Sequence, residues 1–349
     1  MQLLDLDPLQ RGVARWNGKA WVFGETALHA CRLEPRKIVS DHWEALSLDP
    51  MNPVRGRTRH RADVAVAGLR AMNLPSDTPL TALVPGHWDL EALKVFLGAA
   101  RECGLRVRWL FPRAVVMAGA LGPELETVRI WEWSWNRLQE VRLRFADGFW
   151  TRTAVNALAD GGVFAFFRRD AHRVRDLVLS RLRVDPLYSG ETEQALFDGW
   201  WQWLHGAPEW VYTTADGDRI RLDDPPALLA GVRAAWTGSV AVEEAPDLWL
   251  PAPLRRLLGW SAAGSLPETP SLEVADHEDG AARWRETLPE PLQIDNKPTP
   301  PVTHVVVNGI ARPWRGPGRP GDTVTLPDGV RGLAVHVTED RVAEDDGPA

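Results

Sequence analysis

The chain has 349 residues, 44% hydrophobic and 25% charged, with 47 acidic side chains against 40 basic ones. That length accommodates two domains, or one large fold of two lobes, around sizeable cores. The formal charge of −7, with acids interleaved among the arginines ("RLRFADG", "RDAHRVRD"), excludes a nucleic-acid surface, and no apolar run approaches the ~18 residues of a membrane span.

Cys31 and Cys103 are too few for a disulfide framework, and no Cys-x-x-Cys suggests zinc, so both are expected as inert thiols among apolar neighbours. The start "MQLLDLDPLQRG" lacks the basic and apolar runs of a signal peptide, which makes the cytoplasm the expected location.

In chain order, "LLDLD" reads as a strand and "GVARWNGKAWVFG" as a hairpin turning at Asn17-Gly18. "ETALHACRLEP" is a short helix stopped near Pro35, "RADVAVAGLRAMNL" an amphipathic helix, and "LTALVPG" an apolar strand ending at Pro85-Gly86. Asp89 can cap the next helix, with Leu90, Leu93 and Leu97 on one face and Gly104 closing it. "LRVRWLF" follows as a buried strand and "RAVVMAGAL" as a short helix. Strand and helix alternating in this way imply an α/β sheet.

A strand-turn-strand is expected at 126–132 and 137–145, with "FWTRTAV" as a third strand. Trp131, Trp133 and Trp135 alternate there, so their indoles share one face while Ile130, Glu132 and Ser134 take the other. A long helical region then runs to Leu204, with Ala195, Leu196, Trp200 and Trp203 on its apolar side. Residues 261–301 turn rich in Pro and acids and read as a linker. A small β module is expected at 302–340, with strands near 303–308, 323–326 and 332–338, before an acidic tail at 341–349.

Few constellations carry chemistry. The nine histidines are scattered without metal spacing, and "DGG" at 160–162 lacks the glycines and lysine of a phosphate loop. Asp5 and Asp7 flank Leu6 on the first strand, so both carboxylates point one way; a magnesium or acid/base site could use such a pair, but a solvated strand end is the plainer reading. Trp200, Trp201 and Trp203 fit core and rim. An exposed aromatic strip stacking on sugars would instead make a glycan-binding platform.

The run "GETALHACRLEPRKIVSDHWEAL" adds a resemblance. Gly24, Glu25, Ala27, Pro35, Val39 and Asp41 are spaced as in the nucleotide-binding domain of the seventy-kilodalton heat-shock chaperones, within the actin-like superfamily. Val84, Pro85, Gly104, Leu105, Pro112 and Ala114 continue that likeness through residues 83–120. The chain resembles this family over about residues 1–260, closest to short bacterial relatives. The resemblance implies an α/β, two-lobed actin-like fold and a cleft for ATP and magnesium.

The nucleotide positions implied by that resemblance depart from the family pattern. The first phosphate loop, Asp-Leu-Gly-Thr in the family, is here Asp5, Leu6, Asp7, Pro8, and Pro8 has no N–H to offer phosphate. Trp43 stands in place of a lysine and Phe111 in place of a glutamate. The glycine-rich second loop falls on the tryptophan hairpin, where indoles would block the approach of backbone N–H groups to phosphate. Asp5, Asp7 and Glu132 are the residues that a residual nucleotide–magnesium site would use. Trp43, Phe111, Trp131, Trp133 and Trp135 are expected to fill the cleft or make contacts.

The expectation is therefore a degenerate chaperone-like protein without ATP hydrolysis and without a resident cofactor, acting through an unidentified protein partner. The family's peptide-binding domain cannot fit after residue 260, and the β module would supply a contact surface instead. Two alternatives stand beside it: an ATP-binding protein with non-standard phosphate contacts, and a tryptophan platform for glycans.

Overall fold

Local chemistry sets most of the elements. Asp89 accepts the Ala92 N–H at 2.9 Å and starts helix Leu90–Glu102, which stops before Gly104 at φ +71°. Its buried side is Leu93, Phe96, Ala99 and Ala100; Leu90, in the free first turn, is exposed. Asn17 accepts from the Lys19 and Ala20 N–H groups, turning the chain between strands Ala14–Trp16 and Trp21–Phe23. That hairpin pairs with Ile38–Val39 in a small sheet of its own.

The computed structural model describes residues 2–76, 78–121, 125–214, 216–222, 225–267, 270, 272, 283–285 and 287–289. It also describes strands at 304–307, 310–313, 323–325 and 331–335. The chain divides into two compact units, Met1–Glu290 and Pro291–Ala349.

In the first unit, Gln2–Asp5, Pro79–Val84, Arg106–Pro112 and Arg283–Trp284 form a parallel sheet in that spatial order. Continuous apolar runs such as "TALV" suit strands covered on both faces. Helices Arg61–Ala71 and Leu90–Glu102 contribute Ala65, Leu69, Phe96 and Ala100 to a core with Leu4, Leu80, Ala82 and Leu110. Helix Arg113–Gly119 lies apart from that core, buried through Ala118.

The second sheet has six strands in the order Gly264–Ser265, Leu248–Leu250, Thr127–Trp133, Leu138–Ala146, Phe149–Leu158, Thr287–Pro289. The three central strands form the expected antiparallel meander, and Leu248–Leu250 joins Thr127–Trp133 in parallel. One face packs on helices Val163–Leu182, Gly190–Leu204, Pro225–Val240 and Ala252–Leu258. The other presents Val128, Ile130, Val141, Leu143 and Trp150 to Val115 and Met117, alongside Leu83, Trp109 and Phe111 of the parallel sheet. Helix Arg113–Gly119 is thus a layer shared by the two sheets.

The stretch expected as a linker supplies three edge strands. Gly264–Ser265 and Thr287–Pro289 close the two ends of the mixed sheet, and Arg283–Trp284 borders the parallel one. Ala263 and Leu266 are buried. Pairing at a sheet edge uses backbone groups, so it needs little of the apolar periodicity that marks a strand in sequence.

The second unit is a four-stranded antiparallel sheet ordered Ile310–Pro313, His304–Val307, Arg331–Val335, Thr323–Thr325. The acidic tail at 341–349 lies outside the described residues. Among the described residues, no helix is long and apolar enough to cross a membrane.

Candidate functional site

Four charged side chains meet between the two sheets. Asp5 ends the first strand, and Asp7 follows it as the cap of helix Pro8–Arg11. Arg113 begins the shared helix, directly after Pro112 closes its strand. Glu132 comes from the mixed sheet, one residue before the end of Thr127–Trp133.

The guanidinium joins the two aspartates. Arg113 Nε lies 3.0 and 3.2 Å from the Asp5 carboxylate oxygens, and Nη2 lies 3.1 Å from Asp7 Oδ2. Burial disfavours the charged guanidinium, but Asp7, Asp5 and Glu132 together hold its pKa above the ordinary value. Burial also raises the Asp5 pKa, opposed by Arg113 and reinforced by Asp7.

Glu132 is buried, and both of its oxygens are engaged. Oε2 accepts the Gly86 N–H at 2.7 Å and the Gln139 amide at 2.5 Å, and Oε1 accepts the Ala114 N–H at 3.1 Å. Burial raises its pKa, against the Gly86 N–H, Arg113, Gln139 and the Ala114 N–H. Gly86 lies in the turn after one parallel strand and Ala114 in the first turn of the helix after the next, so a single carboxylate from the mixed sheet clasps the backbone beyond two parallel strands.

This arrangement does not fit ATP and magnesium. A divalent cation held by Asp5 and Asp7 would have to displace the cation already paired with them. Asp7 Oδ1 accepts the Leu9 N–H at 2.9 Å, so the protein's own carboxylate takes the first donor after Pro8. Among the described residues, no group of three or more His, Cys, Asp or Glu side chains is placed to hold a metal ion.

The aromatic residues expected around a cleft are buried but not gathered in one place. Trp43 donates to the Arg11 carbonyl at 3.1 Å and packs near Trp88 in the core of the parallel sheet. Phe111 stacks on Trp109 with ring centroids 6.1 Å apart, in the layer between the sheets. Trp131 and Trp133 share one face of strand Thr127–Trp133, whereas Trp135, expected on the same face, lies in the turn after the strand and reaches the same core from there; each is at most 2% exposed. Their indole N–H groups donate to Glu140 at 3.3 Å, the Gly161 carbonyl at 2.8 Å and the Leu9 carbonyl at 3.1 Å. Trp200 and Trp203 are equally buried, and the half-buried Trp201 stacks on Trp135 at 4.9 Å. These rings are core, and an exposed sugar-stacking strip built from them is ruled out by their burial.

A cavity of about 250 Å³ remains beside the charged cluster. Asp7, Arg113, Glu132 and Trp133 line it, together with Pro8, Met117, Pro251 and Leu266. Of the five aromatic residues expected to fill a cleft, Trp133 alone is among its lining residues. The other four complete the separate cores.

Nothing local in the sequence points to Arg113, Gln139 or the Gly86 N–H as members of this cluster. The available signal is only that Arg113 is a lone charge in the apolar run "WLFPRAVVMAGA". Compared with known families and curated proteins, the chain matches no family model and no curated protein.

Proposed function

We propose that this chain is a degenerate relative of the chaperone-type, actin-like scaffold that has no ATP hydrolysis and works by contacting another protein. Two α/β lobes joined at a central layer are what that scaffold requires, and the parallel and mixed sheets around helix Arg113–Gly119 agree with it. The reading rests on the spacing of Gly24, Pro35, Val39, Asp41, Pro85 and Pro112 for its family.

One observation carries the loss of activity: the Arg113 guanidinium pairs with both aspartates that a magnesium–nucleotide complex would use. Fold alone does not give function, and here the site opposes the fold's usual one. The C-terminal unit supports a contact role, because among the described residues Ile310–Pro313 and Thr323–Thr325 each pair on one side only, and a partner strand could be added to the other.

The test is a calorimetric titration with ATP and magnesium. No binding tighter than about 1 mM, or roughly −4 kcal/mol, is expected. A micromolar, magnesium-dependent site would overturn the reading and favour a nucleotide-binding protein with non-standard contacts.

A further inference from the structure

The cavity beside Arg113 is left over by a protein-contact role. Its volume of about 250 Å³ exceeds the roughly 150 Å³ of an apolar cavity that accepts benzene. That is room for one small ring-bearing molecule. Its walls are apolar: Pro8, Met117, Trp133, Pro251, Pro253 and Leu266. Asp7, Arg113 and Glu132 supply the polar part of the lining, and the exposed Gln10 and His205 complete it toward solvent.

The polar groups are not equally available. Both Glu132 oxygens are taken, and each Asp7 oxygen already accepts one hydrogen bond. A guanidinium has five N–H donors, and Nε and Nη2 of Arg113 are engaged by the aspartates. Nη1 has no acceptor among the described residues. Nη1 is not among the buried atoms left without a partner, so it meets solvent and can exchange water for a ligand that brings an acceptor.

Charge narrows the ligand further. An anion entering the cavity meets the carboxylates of Asp5, Asp7 and Glu132 around one guanidinium. An ammonium meets that guanidinium directly. An uncharged carbonyl escapes both penalties, because it accepts from Nη1 and carries no charge.

We propose that this cavity binds a small, uncharged, ring-bearing molecule that presents a carbonyl oxygen to Arg113 and its apolar body to Met117, Trp133 and Pro251. The proposal stands apart from the protein-contact reading, and an ATP titration of either outcome leaves its test intact, because the ligands used carry no phosphate.

The test uses three ligands of one shape: benzamide, benzoate and benzylamine, each titrated into the full chain by ligand-observed NMR. Benzamide should bind saturably, at least tenfold more tightly than either charged analogue. Ala252→Trp and Gln10→Trp place an indole into the cavity from two exposed positions in its lining. Either substitution, in protein whose melting temperature is unchanged, should weaken benzamide binding at least tenfold. Binding of benzamide that is not saturable, or that survives both substitutions, would overturn the proposal. So would benzoate or benzylamine binding as tightly as benzamide.

Discussion

Arg113 and Asp7 are 106 residues apart in sequence, and their side chains meet at 3.1 Å. The same guanidinium holds Asp5 at 3.0 Å, so one cation neutralises two carboxylates in a largely buried place. Removing it leaves both without a counter-charge. Arg113→Met should therefore destabilise the protein by about 3–5 kcal/mol, the usual cost of breaking a buried pair from one side. Asp7→Asn should cost less, because its amide oxygen can still cap Leu9 and Asp5 keeps its partner. Urea midpoints compare the two variants, and equal losses would mean that the guanidinium is not the centre of the cluster.

Trp133 is 2% exposed, packs edge-on against Phe166 at 6.0 Å, and donates to the Gly161 carbonyl. Trp133→Gly should lower stability by about 3–5 kcal/mol through the void it leaves. It should restore no nucleotide binding, because Arg113 and Asp7 are untouched. A urea midpoint within error of the parent protein would mean that the indole does not pack as described.

Glu44 gives a pH dependence. It is buried, and its Oε1 accepts the Asn136 N–H at 3.1 Å; burial raises its pKa from 4.5 to about 7, against hydrogen bonds from Asn136 and Ser134. The folded state therefore binds this proton more tightly than the unfolded state does. The stabilisation is complete below pH 4.5 and is lost as pH rises through about 7. His42 and His87, lowered to about 4 chiefly by burial, act in the opposite sense, losing stability as pH falls from 6.5. Comparing the parent protein with Glu44→Gln cancels the histidines. The variant should gain up to about 3 kcal/mol relative to the parent between pH 4.5 and 8. A difference that stays flat across that range would show that Glu44 titrates normally.

Truncation separates the two readings of the stretch after Trp260. A chain ending at Glu290 retains Gly264–Ser265, Arg283–Trp284 and Thr287–Pro289, together with the buried Ala263 and Leu266. Its first unit should unfold at the same urea concentration as in the full chain. A chain ending at Trp260 should be less stable by at least about 2 kcal/mol, the order of one buried leucine. Equal midpoints for the two truncations would return residues 261–290 to the status of a linker.

Elements were legible where local rules act. The Asp89 cap, the Asn17 turn, the alternation in "VRIWEWSW" and the helix Gly190–Leu204 all follow from neighbours a few residues apart. The helix Pro225–Val240 and the hairpin Trp210–Thr213 with Arg219–Leu222 were missed, since their segments carry weak periodicity and lean on the large aromatic core. The site was half legible: Asp5, Asp7 and Glu132 do lie around one guanidinium, but Asp7 does so as a helix cap, since the strand on which it was expected ends at Asp5, and Glu132 was implied only by the resemblance. What answers them was not legible, because Arg113, Gly86 and Gln139 reach the cluster through the crossing of two sheets.

Glu132 holds the two sheets by grasping main-chain amides at Gly86 and Ala114. The far side of that join therefore has no side chain whose replacement could compensate for a change in the near one. Position 86 is restricted for another reason, since a methyl group there would come within 3.0 Å of Val141 Cγ2 even after the Glu132 carboxylate is removed. Arg152 of the mixed sheet also donates to the Gly86 carbonyl, but in genetic terms the hold on the two amides rests on a single codon. A suppressor search starting from Glu132→Ala should return nothing at 86 or 114, and any revertants it yields should map back to codon 132 itself.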